Sequence, residues 1–157
     1  ANKLNIDFVW VHDAVTVLES TFAHALNTLG TKTLVVEKGV GMRLGKAYGH
    51  QLLDGILNLM AEEGFLDIEP LDVRAPIQSE VGEVAYLNAS CPGLFVPAIE
   101  HCQMIQKGSI VGHIVDPLSG KILDEITAAI GGILFTLRAY PIVYEGSLVG
   151  RIFGEKE

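Results

Sequence analysis

The sequence predicts a two-part chain in which an α/β segment is followed by an all-β module. Three observations point there. Residues 6–64 alternate apolar, strand-like runs with amphipathic helical ones. From Val81 to Phe153, short β-rich runs are separated by glycine and proline turns, with no convincing helix. Within that second part, Gly108-Ser-Ile-Val-Gly-His-Ile114 matches Gly146-Ser-Leu-Val-Gly-Arg-Ile152 at an offset of 38 residues (146 − 108). Such a repeat predicts two similar β units facing each other in a quasi-symmetric barrel or sandwich.

Taken in order, Ile6-Asp-Phe-Val-Trp-Val11 is short, β-branched and aromatic, as a strand requires. Thr16-Val-Leu-Glu19 fits a capping box, in which the two side chains satisfy free amides at a helix start. Leu18, Phe22, Ala25, Leu26 and Leu29 then fall at helical spacing, and Gly30 stands where a left-handed C-cap belongs. Lys32-Thr-Leu-Val-Val-Glu37 reads as a mostly apolar buried strand. A glycine-rich loop, Lys38 to Gly45, leads into a helix with the stripe Leu52, Leu53, Ile56, Leu57 and Met60, closed by Gly64. Two strands are too few for a parallel sheet covered on both faces, so this segment is expected to belong to a larger domain. Pro70 and Pro76 among spaced acids mark a connecting segment. The expected division is residues 1–66 and residues 67–157. In the second part, Pro92-Gly-Leu-Phe95 loosely parallels Gly132-Ile-Leu-Phe135. The paired units resemble the barrel-sandwich fold of biotinyl and lipoyl carriers.

Composition narrows the function classes. The chain has 157 residues, 49% hydrophobic and 19% charged, the balance of a globular protein with a real core. A net charge of −8 and the absence of basic runs argue against nucleic acid, whose phosphates need clustered Lys and Arg. No apolar stretch reaches the roughly 18 residues needed to span a bilayer. Ala1-Asn2-Lys3-Leu4-Asn5 is not the basic start of a signal peptide, and the two cysteines, Cys91 and Cys102, make no disulfide framework. A cytoplasmic location is expected.

Glu37 is the candidate catalytic residue. It ends an apolar strand and meets a glycine-rich loop, the place where α/β sheets put their ligands. Poor solvation there raises a carboxyl pKa, which suits a group that takes a proton from water and returns it to a leaving amine. The competing reading is a solvated strand-end acid paired with Lys38 or Arg43. Other patterns carry less. Gly39-Val-Gly41-Met-Arg-Leu-Gly45 lacks dinucleotide spacing, and no strand ending in an acid follows it, so Gly41, Gly45 and Gly49 are read as sites of close packing. Cys91, His101, Cys102 and His113 have no metal-ligand spacing. Lys121, in Ser119-Gly-Lys121, lacks the sequence context of a carrier lysine and reads as a solvated turn residue.

Thr28-Leu-Gly-Thr-Lys-Thr-Leu-Val-Val-Glu37-Lys-Gly39 resembles a step of the succinylglutamate desuccinylase/aspartoacylase family, where a helix ending in Leu-Gly precedes a Leu-Thr-Val-Glu-Gly-Gly strand. Gly93-Leu-Phe95, Lys107-Gly108, Ile122 to Ile126, Gly132 and Gly146 extend the likeness across nearly the whole chain. The resemblance implies the C-terminal part of a zinc-carboxypeptidase-like α/β domain, followed by a β domain at the entrance to its site. It implies that Glu37 is the general acid/base of a deacylase for small-molecule N-acyl amino acids, activating a zinc-bound water. The family's His-x-x-Glu pair and later Asp-Leu-His step are absent, so the zinc of a full-length enzyme would have its ligands outside this chain. His12-Asp13 lies only 25 residues (37 − 12) before Glu37 and is not given that role. Lys38 also replaces a small residue of the Glu-Gly-Gly step. Substrate-binding residues are not identified. The chain is expected to be inactive alone. Two alternatives stay open, a non-catalytic β-barrel module for interaction or homo-oligomerisation, and a metallocarboxypeptidase with the same zinc and glutamate chemistry.

Overall fold

The computed structural model describes residues 1–11 and 19–154. The chain divides into two compact units, Ala1–Ser79 and Glu80–Glu157.

In the first unit, β1 (Phe8–Val9) pairs in parallel with β2 (Ile77–Gln78), Phe8 lying opposite Ile77. The helices α1 (Phe22–Thr28) and α2 (Lys46–Glu62) lie between them in sequence. A parallel pair needs a long crossover, and this one passes through both helices. Thr21 caps α1 by accepting from the His24 amide at 3.3 Å. The capping box read at Thr16, and Leu18 of the helical stripe, fall outside the described residues. Both helices end as their glycines predict. Gly30 has φ +83° and Gly64 φ +75°, and each lets two amides turn back onto the last carbonyls. Thr31 donates to Leu26 and Gly30 to Asn27, both at 3.0 Å, while Phe65 donates to Met60 at 2.8 Å and Gly64 to Ala61 at 3.0 Å.

The run Lys32–Glu37 departs from expectation, since it joins no sheet among the described residues. A strand exists only by pairing, and Leu34 and Val35 are exposed, without the neighbours that would bury them. The stripe of α2 is likewise only partly covered. Leu53 and Ile56 are exposed, and the buried line of this helix is Gly55 and Asn58. Asn58 is fully buried and fully used, donating to the Lys3 carbonyl and Glu62 and accepting from the Leu71 amide. Leu4 is the one buried apolar side chain among the described residues of this unit. Residues 67–79 are tied to it by the Asn58–Leu71 bond, by Arg74 and by the β1–β2 pairing.

The second unit has its own core. Its strands are β3 (Glu83–Asn88), β4 (Gly93–Pro97), β5 (Gln103–Ile105), β6 (Ile110–Val115), β7 (Ile122–Thr127), β8 (Gly132–Leu137), β9 (Ile142–Val143) and β10 (Leu148–Gly154). They form two four-stranded sheets, ordered β3-β10-β8-β5 and β7-β6-β4-β9, and neither closes into a barrel. All pairings are antiparallel. Both sheets supply one buried cluster, with Leu87, Leu134, Val149 and Ile152 from the first and Phe95, Val111, Ile114, Ile126 and Val143 from the second.

The repeat runs through the whole unit. β3 and β7, β4 and β8, and β6 and β10 begin 39, 39 and 38 residues apart (122 − 83, 132 − 93, 148 − 110). Exchanging each strand for its counterpart, with β5 for β9, turns the order of one sheet into that of the other. Register follows, since Gly150 faces Leu87 and Ile152 faces Ala85, as Gly112 faces Ile126 and Ile114 faces Asp124. The repeated Gly-Ser step is a turn. Gly108 and Gly146 have φ +83° and +80°, and their amides donate to the counterpart carbonyls of Ala128 at 2.8 Å and Ala89 at 2.7 Å. Ser109 and Ser147 close the turns by accepting from the amides of Gln106 and Tyr144.

Candidate active site around Glu37

Glu37 stands in the connection between α1 and α2, exposed to solvent, so the poor solvation expected at the end of a buried strand is not found there. Among the described residues it makes no ion pair with Lys38 or Arg43, the two partners that a solvated strand-end acid would take. Lys38 has other partners. Its Nζ donates to Gln51 Oε1 at 2.8 Å and to Asp7 Oδ2 at 3.1 Å, and it lies 5.9 Å from the centre of the Tyr48 ring. Its side chain is only 16% exposed, so the charge is largely withdrawn from water.

Asp7 is the hub. Gln51 Nε2 donates to its Oδ2 at 3.0 Å, and Arg74 donates to its Oδ1 at 2.6 Å. Partial burial pushes the carboxyl up, but hydrogen bonds from Gln51, Lys38 and Arg74 outweigh it and hold the pKa at about 2. One carboxylate thus gathers β1, the loop after Glu37, α2 and the segment before β2. The loop bends to allow this, with Gly39 at φ +68° and Met42 at φ +63°. The Tyr48 ring fills the inside of the bend. A side chain at Gly39 would meet it at 3.2 Å and one at Gly45 at 2.8 Å. Close packing at Gly45 is as the sequence implies, whereas Gly49 has nothing within 4 Å.

The sequence picked out Glu37 but not Asp7, Gln51 or Arg74. The signal available was Asp7 itself, an acid inside the apolar run Ile6–Val11. Its partners lie 31, 44 and 67 residues away, beyond any local pattern. His12 and Asp13 fall outside the described residues. Elsewhere, Cys91 is half-buried, Cys102 is exposed and His113 lies 3.9 Å from Glu125 across the β6–β7 ladder. Among the described residues, no group of three or more His, Cys, Asp or Glu is arranged to hold a metal ion, so a zinc site does not fit them. Lys121 is exposed in the β6–β7 turn. An open cleft of about 230 Å³ lies against β8 and β10, where Arg138 is bonded to the carbonyls of Tyr140, Leu148 and Ile142.

A fold of this kind, a parallel α/β segment followed by two interleaved antiparallel sheets, is that of the C-terminal part of aspartoacylase-like proteins. The apo ectoine utilization protein EutE (DoeB) from Ruegeria pomeroyi matches at a TM-score of 0.80 and 18% identity, over 97% of this chain and 48% of that one. A succinylglutamate desuccinylase/aspartoacylase from Rhodobacter sphaeroides matches at 0.78 and 19% identity, over 100% of this chain and 48% of that one. An aspartoacylase family protein from Mesorhizobium loti matches at 0.65 and 18% identity, over 96% and 43%. The chain therefore spans about half the length of the solved structures it matches. No family model and no curated protein matches the sequence. The resemblance read from the sequence holds at the level of the fold, and no described helix is long and apolar enough to cross a membrane.

Proposed function

We propose that this chain is the C-terminal part of a zinc-dependent deacylase that hydrolyses the amide bond of small-molecule N-acyl amino acids in the cytoplasm. The observation that carries this reading is the fold match over 97% of the chain to proteins of which it spans less than half. Glu37 is the proton carrier. Exposed at the end of its run and joined to neither Lys38 nor Arg43, its carboxylate is free to accept a proton from water and return it to the leaving amine. The second unit is read as a barrel-sandwich module, its two repeats interleaved through both sheets.

The described residues do not fit a zinc site, so no step is derived through the metal. Its ligands belong to the rest of the α/β domain, together with the surface that covers Leu34, Val35, Leu53 and Ile56. An apolar run and a helix face left open in this way suit one occupant, the complementary half of the same domain. A metallocarboxypeptidase would use the same glutamate, and a panel of N-acyl amino acids against C-terminal peptide substrates separates the two.

The test compares the chain alone with the protein completed by that half. Alone, it is expected to hydrolyse no N-acyl amino acid and to retain no zinc after dialysis; completed, it does both. Stoichiometric zinc held by the isolated chain with sub-micromolar affinity contradicts the reading. Inactivity of the completed protein favours a non-catalytic module.

A further inference from the structure

We propose that Lys38 is a positioning residue for Glu37, its ammonium group seated between Asp7, Gln51 and the Tyr48 ring so as to fix the backbone on which the Glu37 carboxylate stands. The inference rests on the assignment of Glu37 as the proton carrier and adds what holds it in place.

The need for such a device follows from the surroundings. Residues 31–36 join no sheet among the described residues, and Gly39 follows two residues after Glu37, so neither side of the loop supplies regular bonding. A general base must come within about 2.6–3.2 Å of the proton it takes. A misplacement of about 1 Å can cost roughly 100-fold in rate. Lys38 is the neighbouring side chain and enters a fixed receptor. Two oxygens at 3.1 and 2.8 Å define its place, and the ring at 5.9 Å adds attraction from a third direction. The receptor is itself built in. Gln51 lies on α2, its amide nitrogen bonded to Asp7 while its oxygen accepts from Lys38. Arg74 holds the far oxygen of Asp7 at 2.6 Å, so the carboxylate cannot swing away. The lowered pKa of Asp7 keeps this anion charged over the working pH range. Gly39 and Gly45 allow the loop to lie against Tyr48, which places the lysine over that ring. At the position where the family pattern has a small residue, this chain carries an anchor.

The experiment measures backbone amide order parameters by ¹⁵N relaxation on the 157-residue chain, for wild type, Lys38→Met and Lys38→Arg. In the wild type, residues 37–41 are expected near the rigid value of about 0.85, falling below about 0.6 in Lys38→Met, with α2 and the β strands unchanged. Lys38→Arg, which keeps the charge and can bond both oxygens, is expected to restore most of the order. In the completed enzyme, Lys38→Met should lower kcat by about 10- to 100-fold with KM nearly constant, the mark of a misplaced base rather than lost binding. Unchanged order in Lys38→Met overturns the proposal even if Glu37 proves essential. Loosening of the loop in a protein indifferent to Glu37→Gln would instead leave the anchor standing and remove the catalytic reading. If Lys38→Met unfolds the first unit, Asp7→Asn preserves shape and removes the anion. Loss of order at residues 37–41 in that variant then supports the anchor, and unchanged order overturns it.

Discussion

Asp7 shows how much one carboxylate can organise when three donors converge on it. Its folded value of about 2 lies below the ordinary 3.8, so its contribution to stability is fully present above 3.8 and is lost as the pH falls toward 2. The expected outcome is a side-chain carboxyl that titrates near 2 by carbon NMR, with local order at residues 37–41 and 74 fading over the same range. A midpoint near 3.8 would show that Lys38, Gln51 and Arg74 are not holding it. At this scale the sequence was half legible. Glu37 could be singled out because it closes an apolar run before a glycine loop, features that are local. Lys38 looked like a departure from a pattern, because its partners come from two other segments. Asn58 was not singled out, because Lys3 and Leu71 come to it from other segments.

Helix α2 offers a test of packing against propensity. Alanine in a helix interior is worth about 1 kcal/mol over glycine when nothing else changes. At Gly49, with no neighbour within 4 Å, Gly49→Ala should stabilise the first unit by about 0.5–1 kcal/mol. At Gly55 a methyl group would run into the backbone of Leu4, so Gly55→Ala should destabilise by about 1–3 kcal/mol despite the better propensity. Denaturant unfolding followed by helical circular dichroism checks both signs, and equal effects would mean that Leu4 does not pack there. Helix ends were readable because Gly30 and Gly64 act through their own backbone. The strand expected at Lys32–Glu37 was not, because apolar composition specifies burial without specifying a partner. The same limit explains why the α2 stripe was correctly placed on a helix yet remains partly exposed.

The whole molecule joins a first unit held mainly by polar ties to a second unit with a complete core. In the second, β3 to β6 and β7 to β10 each give two strands to each sheet, so neither half contains a finished sheet. A chain divided at the turn of residues 116–121 should therefore show little β structure in either piece and regain it on mixing. A piece that folds alone would mean that the repeats are not interdependent. The repeat itself was legible, since its Gly-Ser turns and Val-Gly-x-Ile strands are local. The interleaving was not, because pairing partners leave no trace in either copy. The measurement that tests the role proposed for Glu37 most directly is turnover by Glu37→Gln in the completed protein. The amide keeps the size and hydrogen-bonding shape of the side chain but cannot take a proton from water. The expected outcome is a folded variant with nearly unchanged KM and melting temperature, and with kcat lower by roughly 100-fold or more. Wild-type turnover in a well-folded Glu37→Gln protein would contradict it.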